Sequence, residues 1–418
     1  KKRHDALFKA MGDEVVGREH LRDFRPQHLS ITVWAYATAG INHPQLFEIV
    51  ANLIVIVRLG HLTDFKPQEL SNTVWAYAKA EVNHLQLFEK MANHIIQLDH
   101  LRDFRPQHLS NIVWAYATAE ISHPKLFEKM ANHIIQLDHL EEFRPQHLSN
   151  IVWAYATTKI SDHPKMFQQV AKAAIQRYEE FISQEVANLL WSYATLGIID
   201  NQLFSSFGPT AAKLFDNYNN QNLANIAWAY AVADVESLTF FNDRFININV
   251  EKRDGFSIEN LSQLHQWHLW QTKEKSRTGL PEALQDRCYK AFISQGLHPS
   301  KLQNDVVDQL SSIGLDPKEE MLMDSGYRID ALVEVNGKTM GVEVDGPSHF
   351  IGRSKSPLAK TILKRRQVPS IDGIELVSVP YWEWDSLGKS QTKKQEYLRR
   401  LLGLRLGNSR RFLDCISY

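Results

Sequence analysis

Two short runs near the C-terminal end, YRIDALVEV from Tyr327 and KTMGVEVDG from Lys338, hold the residues best suited to chemistry: Arg328, Asp330, Glu343 and Asp345, followed by His349. Each run alternates apolar and polar residues at the two-residue period of a β-strand, and Asn336-Gly337 between them is the strongest short signal for a two-residue hairpin turn. Such a turn sets the register. Asp330 then lies opposite Glu343 and Arg328 opposite Asp345, all on one face because strand side chains alternate. Opposed like charges destabilise a hairpin by a few tenths to about 1 kcal/mol, so the Asp330/Glu343 pair calls for a cation or a perturbed proton. Oxygen-only ligands suit Mg²⁺ or Mn²⁺, so Asp330, Glu343 and Asp345 are candidate metal ligands, able to place a water and offset charge at a phosphodiester. His349 is positioned as the acid or base.

Between Arg353 and Arg366 six cations and no acid occur: Arg353, Lys355, Lys360, Lys364, Arg365 and Arg366. The spacing predicts a helix capped by Ser356, with Pro357 at its first position and Leu358 and Ile362 facing the sheet. Its outer face would be basic. A cluster of this kind next to an acidic pocket would hold a phosphate backbone together with Arg328, unless it is only a solvated helix face. Lys389 to Arg411 is also basic, in a helix that packing alone would explain. Trp382 and Trp384 are expected to cover the core rather than stack on bases.

The motif RIDALVEV…GVEVDGPSHF…LKRRQ…LVSVPYWEW, over about residues 325 to 385, resembles a RAP domain. RAP domains are similar in fold to PD-(D/E)-x-K nucleases, in particular the very-short-patch-repair group, whose D…E-x-D-G-x-x-H pattern is matched by Asp330, Glu343, Asp345, Gly346 and His349. The resemblance implies RNA processing or stability in an organelle. One departure bears on activity: Glu343-Val344-Asp345 lacks the usual lysine. Either the aspartate serves a variant chemistry, or the lysine has migrated to Lys360 or Lys364.

The element that would deliver RNA to this site is a repeat. One phrase recurs as HLSITVWAYA, ELSNTVWAYA, HLSNIVWAYA twice, EVANLLWSYA and NLANIAWAYA, with Trp34, Trp75, Trp114, Trp153, Trp191 and Trp228 spaced by 41, 39, 39, 38 and 37 residues. Stacked units that each bury a face against the next carry this signature. In the third unit Pro106, Leu109, Ile112, Val113, Tyr116 and Ala117 mark a first helix, and after a break at Ser122 to Pro124 a second carries Leu126, Phe127, Met130, Ala131, Ile134 and Ile135. The units, over about residues 20 to 270, resemble octotricopeptide repeats, helix-pair motifs that bind RNA in organelles.

Tryptophans and tyrosines are expected to form inter-repeat core. The in-register histidines (His28, His108, His147; His43, His84, His123, His163) read as multiplied structural positions. A polar residue stands three before each tryptophan: Asn72, Asn111, Asn150, Asn188, Asn225, and Gln263 in a degenerate seventh copy with Gln266 at the tryptophan position. Seven residues after each asparagine, on nearly the same face, come Lys79, Thr118, Thr157, Thr195 and Val232. A constant and a variable polar row suit reading of one base per repeat, unless the asparagines bond neighbouring helices internally.

The expected architecture is mainly α: an α-solenoid over 1–252, a degenerate cap and helical connector over 253–320, and a small α/β nuclease-like domain with a basic C-terminal helix over 321–418. A net charge of -1 requires any nucleic-acid affinity to come from local patches. Cys288 and Cys415 are too few for a disulfide framework or a structural zinc site. No apolar run approaches the roughly 20 residues of a membrane helix, so a soluble chain is expected. A targeting peptide preceding Lys1 would lie outside the sequence.

The leading expectation is a metal-dependent endoribonuclease with an RNA-binding solenoid, with Asp330, Glu343, Asp345, His349 and Lys360 as its catalytic set. The alternatives are a non-catalytic factor in which the RAP domain clamps RNA, and a protein-binding scaffold. The implied partner is a single-stranded transcript or rRNA of a mitochondrion or plastid.

Overall fold

The computed structural model describes residues 5–17, 24–57, 62–137, 139–294, 296, 300–352 and 354–404. The chain divides into two compact units, Lys1–Gly255 and Phe256–Tyr418.

The first unit is the helical array. Its helices are α1 (Asp5–Gly17), α2 (Pro26–Ala39), α3 (Pro44–Asn52), α4 (Pro67–Lys79), α5 (Leu85–Gln97), α6 (Pro106–Thr118), α7 (Pro124–Gln136), α8 (Pro145–Thr157), α9 (Pro164–Gln176), α10 (Ser183–Thr195), α11 (Asn201–Lys213), α12 (Asn220–Ala233) and α13 (Asp243–Glu251). The even-numbered helices α2 to α12 carry the repeated phrase and pack each on the next, while α3, α5, α7, α9 and α11 form the second layer. Proline opens four of the phrase helices, where its missing N–H costs nothing. At their heads the backbone N–H of Arg25, Lys66, Arg105 and Arg144 donates to the side chains of His28, Glu69, His108 and His147. His28, His108 and His147 are thus local capping groups, and His43 and His84 accept from the third residue at the heads of α3 and α5, whereas His123 and His163 precede α7 and α9 without a side-chain cap bond.

The core ladder is made by tyrosine. Tyr77, Tyr116, Tyr155, Tyr193 and Tyr230 are buried, and each hydroxyl donates to the carbonyl of a phenylalanine in the preceding second-layer helix (Phe47, Phe88, Phe127, Phe167, Phe204) at 2.5–2.7 Å. Each of these pairs also meets ring edge to ring face. Tyr36 reaches back to Phe8 in the same way, so α1 acts as a second-layer helix that the repeat count had not included. The tryptophans depart from expectation. Trp34 is 41% exposed, Trp75, Trp114, Trp153 and Trp191 are half-exposed, and Trp228 alone is buried. Tyrosine, two residues further on, points 200° around the helix and takes the inward position.

The second unit holds α14 (Ile258–Leu269), α15 (Glu282–Ile293), α16 (Lys301–Ser312), β1 (Lys318–Leu322), β2 (Arg328–Val335), β3 (Lys338–Asp345), α17 (Ala359–Asp372), β4 (Glu375–Pro380), α18 (Tyr381–Ser386) and α19 (Gln391–Leu401). The expected cap and connector is therefore not separate from the C-terminal domain: α14 to α16 fold with the sheet, and Gln266 is buried against Tyr327. The sheet order is β1-β2-β3-β4, antiparallel except for the parallel β3/β4 pair. The predicted hairpin is present with the predicted register, Ala331 facing Val342 and Val335 facing Lys338. Asn336 and Gly337 both have positive φ, 52° and 75°, as a type I′ turn requires.

One sheet face packs Val333, Val342, Val344 and Val379 against α16 and α19. The other packs Leu332 and Leu376 against Val368 of α17, with Gly341 giving the room, since a Cβ there would lie 2.5 Å from Leu376. Helix α17 starts two residues later than predicted: Phe350 bridges Pro357, and the Leu358 N–H donates to the His349 carbonyl at 2.8 Å, holding the approach extended. Its inward residues are Ala359, Leu363, Gln367 and Val368, with Ile362 only half-buried.

Candidate functional site

A cleft of ≈ 490 Å³ opens beside the free ends of β2 and β3 and is lined by Arg328, Asp330, Glu343, Asp345, His349, Lys360, Lys364 and Arg365, among others. The hairpin register brings the three carboxylates to one face, and the parallel return of β4 adds Ser378 in register with Glu343. Helix α17 then crosses the acids with two successive cations. Lys364 Nζ stands 2.5 Å from Glu343 Oε2, and Arg365 Nη2 stands 2.6 Å from Asp345 Oδ2. Ser378 and Arg365 share that Asp345 oxygen, while Asp345 Oδ1 meets His349 Nδ1 at 2.9 Å. Asp330 Oδ2 accepts the Val344 N–H at 2.7 Å, which takes the place of a ladder bond at the end of the hairpin.

Burial and pairing separate the three acids. Glu343 is 3% exposed, and burial pushes its carboxyl up to about 8 against the downward pull of Lys364. Asp330 is likewise raised by burial. For Asp345 burial alone would act upward, but the bonds from His349, Ser378 and Arg365 prevail and hold it down to about 2. Neighbouring carboxylates with opposed shifts are what functional sites and structural ion-pair networks share.

The expected three-carboxylate metal site does not fit this arrangement. Both oxygens of Asp345 are committed to cationic or hydroxyl partners, and among the described residues no group of three or more His, Cys, Asp or Glu side chains is placed to hold an ion. Glu343 Oε1 has no hydrogen-bond partner, and of the Asp330 oxygens Oδ2 accepts the Val344 N–H. Only these two would be available to a cation, and Lys364 would have to yield.

The basic run is not the exposed outer face that its sequence predicted. Lys364 and Arg365 turn onto the acids, and Arg366 pairs with Glu274 at 2.8 Å, an internal tie that sequence spacing does not reveal. Lys355 lies over the Trp382 ring at 5.5 Å, and Arg353 is outside the described residues. Lys360 is at the cleft rim, and the contact that a migrated lysine would make with Glu343 is made by Lys364. Trp384 is buried and donates to Asp305, whereas Trp382 is half-buried against Phe350. In the tail, Lys394 pairs with Asp305 and Leu398 is buried, so α19 packs; residues 405–418, with Cys415, are outside the described residues.

Beneath the cleft, Tyr327 accepts from Gln266 and donates to Gln367, both at 2.8 Å, and Gln367 donates back to the Gln266 carbonyl at 3.0 Å. This buried network anchors α17, which carries the two cations, and neither it nor Ser378 was anticipated. A polar residue at alternate spacing in LVSVP was the available signal for Ser378.

In the first unit the side-chain amides of Asn72, Asn111, Asn150 and Asn188 make no hydrogen bond to another described residue, so the internal role is not theirs. They are half-exposed, Lys79 is exposed, and Asn225 is buried.

Residues 60–244 match the family model described as RNA-editing substrate-binding complex 6 protein, and residues 342–401 match the RAP domain model. Among curated proteins the chain is similar to "RAP domain-containing protein, chloroplastic" of Oryza sativa subsp. japonica, 39% identical over 104 residues. That match covers 25% of this chain and 16% of the relative's length. The chain carries a RAP domain at its C-terminal end, after a helical-repeat region. Glu343, Asp345, His349, Lys364 and Arg365 fall within the matched span, and Arg328 and Asp330 precede it. No described helix is long and apolar enough to cross a membrane.

Proposed function

We propose that this is an organellar RNA-binding protein whose C-terminal cleft clamps the phosphodiester backbone. The observation that carries the reading is the convergence of Arg328, Lys360, Lys364, Arg365 and His349 on one open cleft. Two of these cations are spent on acids, but burial raises the Glu343 carboxyl toward its protonated form, which leaves the Lys364 charge less fully offset. Arg328 lines the same cleft, and its Nε is buried without a hydrogen-bond partner. Charge-assisted bonds from such groups hold phosphate oxygens without reading sequence. The chloroplastic relative and the RNA-editing family match are the support for an RNA ligand and for a plastid or mitochondrion.

A second reading, the metal-dependent endoribonuclease, has its own observation: Asp330, Glu343 and Lys364 lie in the same cleft, with the lysine supplied by α17. Mg²⁺ or Mn²⁺ would be held by the two carboxylates and would supply charge neutralisation at a scissile phosphate.

Titrating the chain with a labelled single-stranded RNA at several salt concentrations separates the readings. An Arg328→Ala/Lys360→Ala variant is expected to bind about 10- to 100-fold more weakly, with the salt slope reduced by about two. Unchanged affinity would overturn the clamp. RNA cleavage that needs Mg²⁺ or Mn²⁺, stops with chelator and disappears in Asp330→Asn/Glu343→Gln would transfer the conclusion to the nuclease.

A further inference from the structure

On each phrase helix the residues seven and three before the tryptophan, the tryptophan itself and the residue four after it fall within a 60° arc, so they form one outward stripe. In α6 these are Gln107, Asn111, Trp114 and Thr118, and in α8 they are Gln146, Asn150, Trp153 and Thr157; α4 and α10 repeat the order. The apolar residues of the same helices are buried, which leaves the glutamine, asparagine and tryptophan of the stripe as their accessible face, while the Thr118 and Thr195 hydroxyls are buried. A tryptophan is a costly residue to leave half-exposed, because so much of its surface is apolar, and here the exposure recurs in register. Trp75 and Trp114 lie 6.3 Å apart with ring planes 33° from parallel. Beside each indole stands an asparagine amide with no bond to another described residue.

From this repetition we infer that α4, α6, α8 and α10 form a track for single-stranded RNA, one base stacking on each of Trp75, Trp114, Trp153 and Trp191 and meeting the asparagine three residues earlier. The inference rests on the RNA reading above and assigns the bases to the repeats, where that reading assigned the phosphates to the cleft. An indole offers every base a flat partner, and an amide offers one donor edge and one acceptor edge, the groups a base edge requires. At the heads of α4, α6 and α8 Lys66, Arg105 and Arg144 are exposed and make no ion pair with another described residue, a cation for the strand's phosphates in three of the four repeats, while the head of α10 carries Ile182. Asp64, Asp103 and Glu142 stand two residues before them, so the local sum is near neutral and stacking must dominate. The track has two natural ends. The first copy has Ile31 in place of asparagine, and in α12 both Asn225 and Trp228 are buried.

The test compares an eight-nucleotide RNA with an abasic ribose-phosphate oligomer of equal length. Three proteins are titrated: wild type, Trp114→Ala/Trp153→Ala, and the cleft variant Arg328→Ala/Lys360→Ala. The tryptophan variant is expected to lose at least about 20-fold in RNA affinity and nothing for the abasic oligomer, given 1–3 kcal/mol per stacked base. The cleft variant should lose affinity for both. Trp114→Phe/Trp153→Phe should recover most of the binding, and circular dichroism of all variants controls for folding. Should a correctly folded Asn111→Ala/Asn150→Ala variant and the alanine pair both bind RNA as wild type does, the track is overturned while the cleft reading stands. Displacement of the RNA by a lysine-rich peptide, with no preference for RNA over the abasic strand, would overturn it in favour of peptide binding. Failure of wild type to bind any RNA at low salt would remove the underlying RNA reading instead.

Discussion

The two units treat polar groups in opposite ways. In the repeat array polar positions recur, the capping and tyrosine groups are satisfied locally at a helix head or through one hydroxyl, and an accessible amide and indole are left in successive copies. In the C-terminal unit nothing recurs, and every acid in the cleft has a partner from another element: Glu343 from α17, Asp345 from α17, β4 and the loop after β3, and Asp330 from the β3 backbone. Recurrence therefore marks a position as important without saying whether it faces inward. Convergence of unlike charges marks a place where several elements had to meet, and there the chemistry is concentrated.

The comparison breaks first at the aromatic ladder. Tyr155→Ala should cost about 3–5 kcal/mol, the range for deleting a fully buried aromatic, whereas Trp153→Ala should cost about 1 kcal/mol. Urea unfolding followed by circular dichroism measures both. Equal costs would return the tryptophans to the core and remove the accessible stripe.

A smaller effect concerns the C-terminal unit alone. His268 is buried, accepts the Leu280 N–H at Nδ1, and is pushed down to about 4 chiefly by burial. Its folded value lies below the unfolded value near 6.5, so its stabilising contribution is complete above pH 6.5 and is lost as the pH falls through 4, for a total of about 3 kcal/mol. The raised Glu343 and Asp330 contribute with the opposite sign over the same range, so the loss is read as the difference between wild type and a His268→Gln variant, with unfolding of the buried Trp267 and Trp270 followed by fluorescence between pH 7.5 and 4. Parallel profiles would mean that the imidazole is already solvated in the native state.

The smallest effects are at turns. Gly337 has φ 75° in the hairpin, and Glu120 has φ 56° between α6 and α7. Gly337→Ala should lower stability by about 0.5–1 kcal/mol and Glu120→Gly should raise it by a similar amount, since a side chain in the left-handed region is strained. Thermal unfolding checks both, and a neutral Glu120→Gly would show that the repeated turn has relaxed around its side chain.

Much of this was legible in the chain because it is local. The 37- to 41-residue spacing, prolines at helix starts and Asn336-Gly337 act over a few residues, and the register that aligns Asp330 with Glu343 follows from the turn alone. The start of α17 was misplaced because the Phe350/Pro357 bridge is a loop contact with no periodicity. The basic run misled for a similar reason. At helical spacing Lys364, Arg365 and Arg366 cover most of a turn, and only the position of the sheet and of Glu274 decides which of them faces outward.

Sequence by itself determined the repeat, the hairpin and which acidic side chains share a face, because short-range sterics and alternation decide those. Tertiary packing decided that tyrosine rather than tryptophan fills the repeat core, and that lysine and arginine from α17 neutralise the acids. Burial and ion pairing depend on what arrives from distant parts of the chain, and no local pattern encodes that arrival.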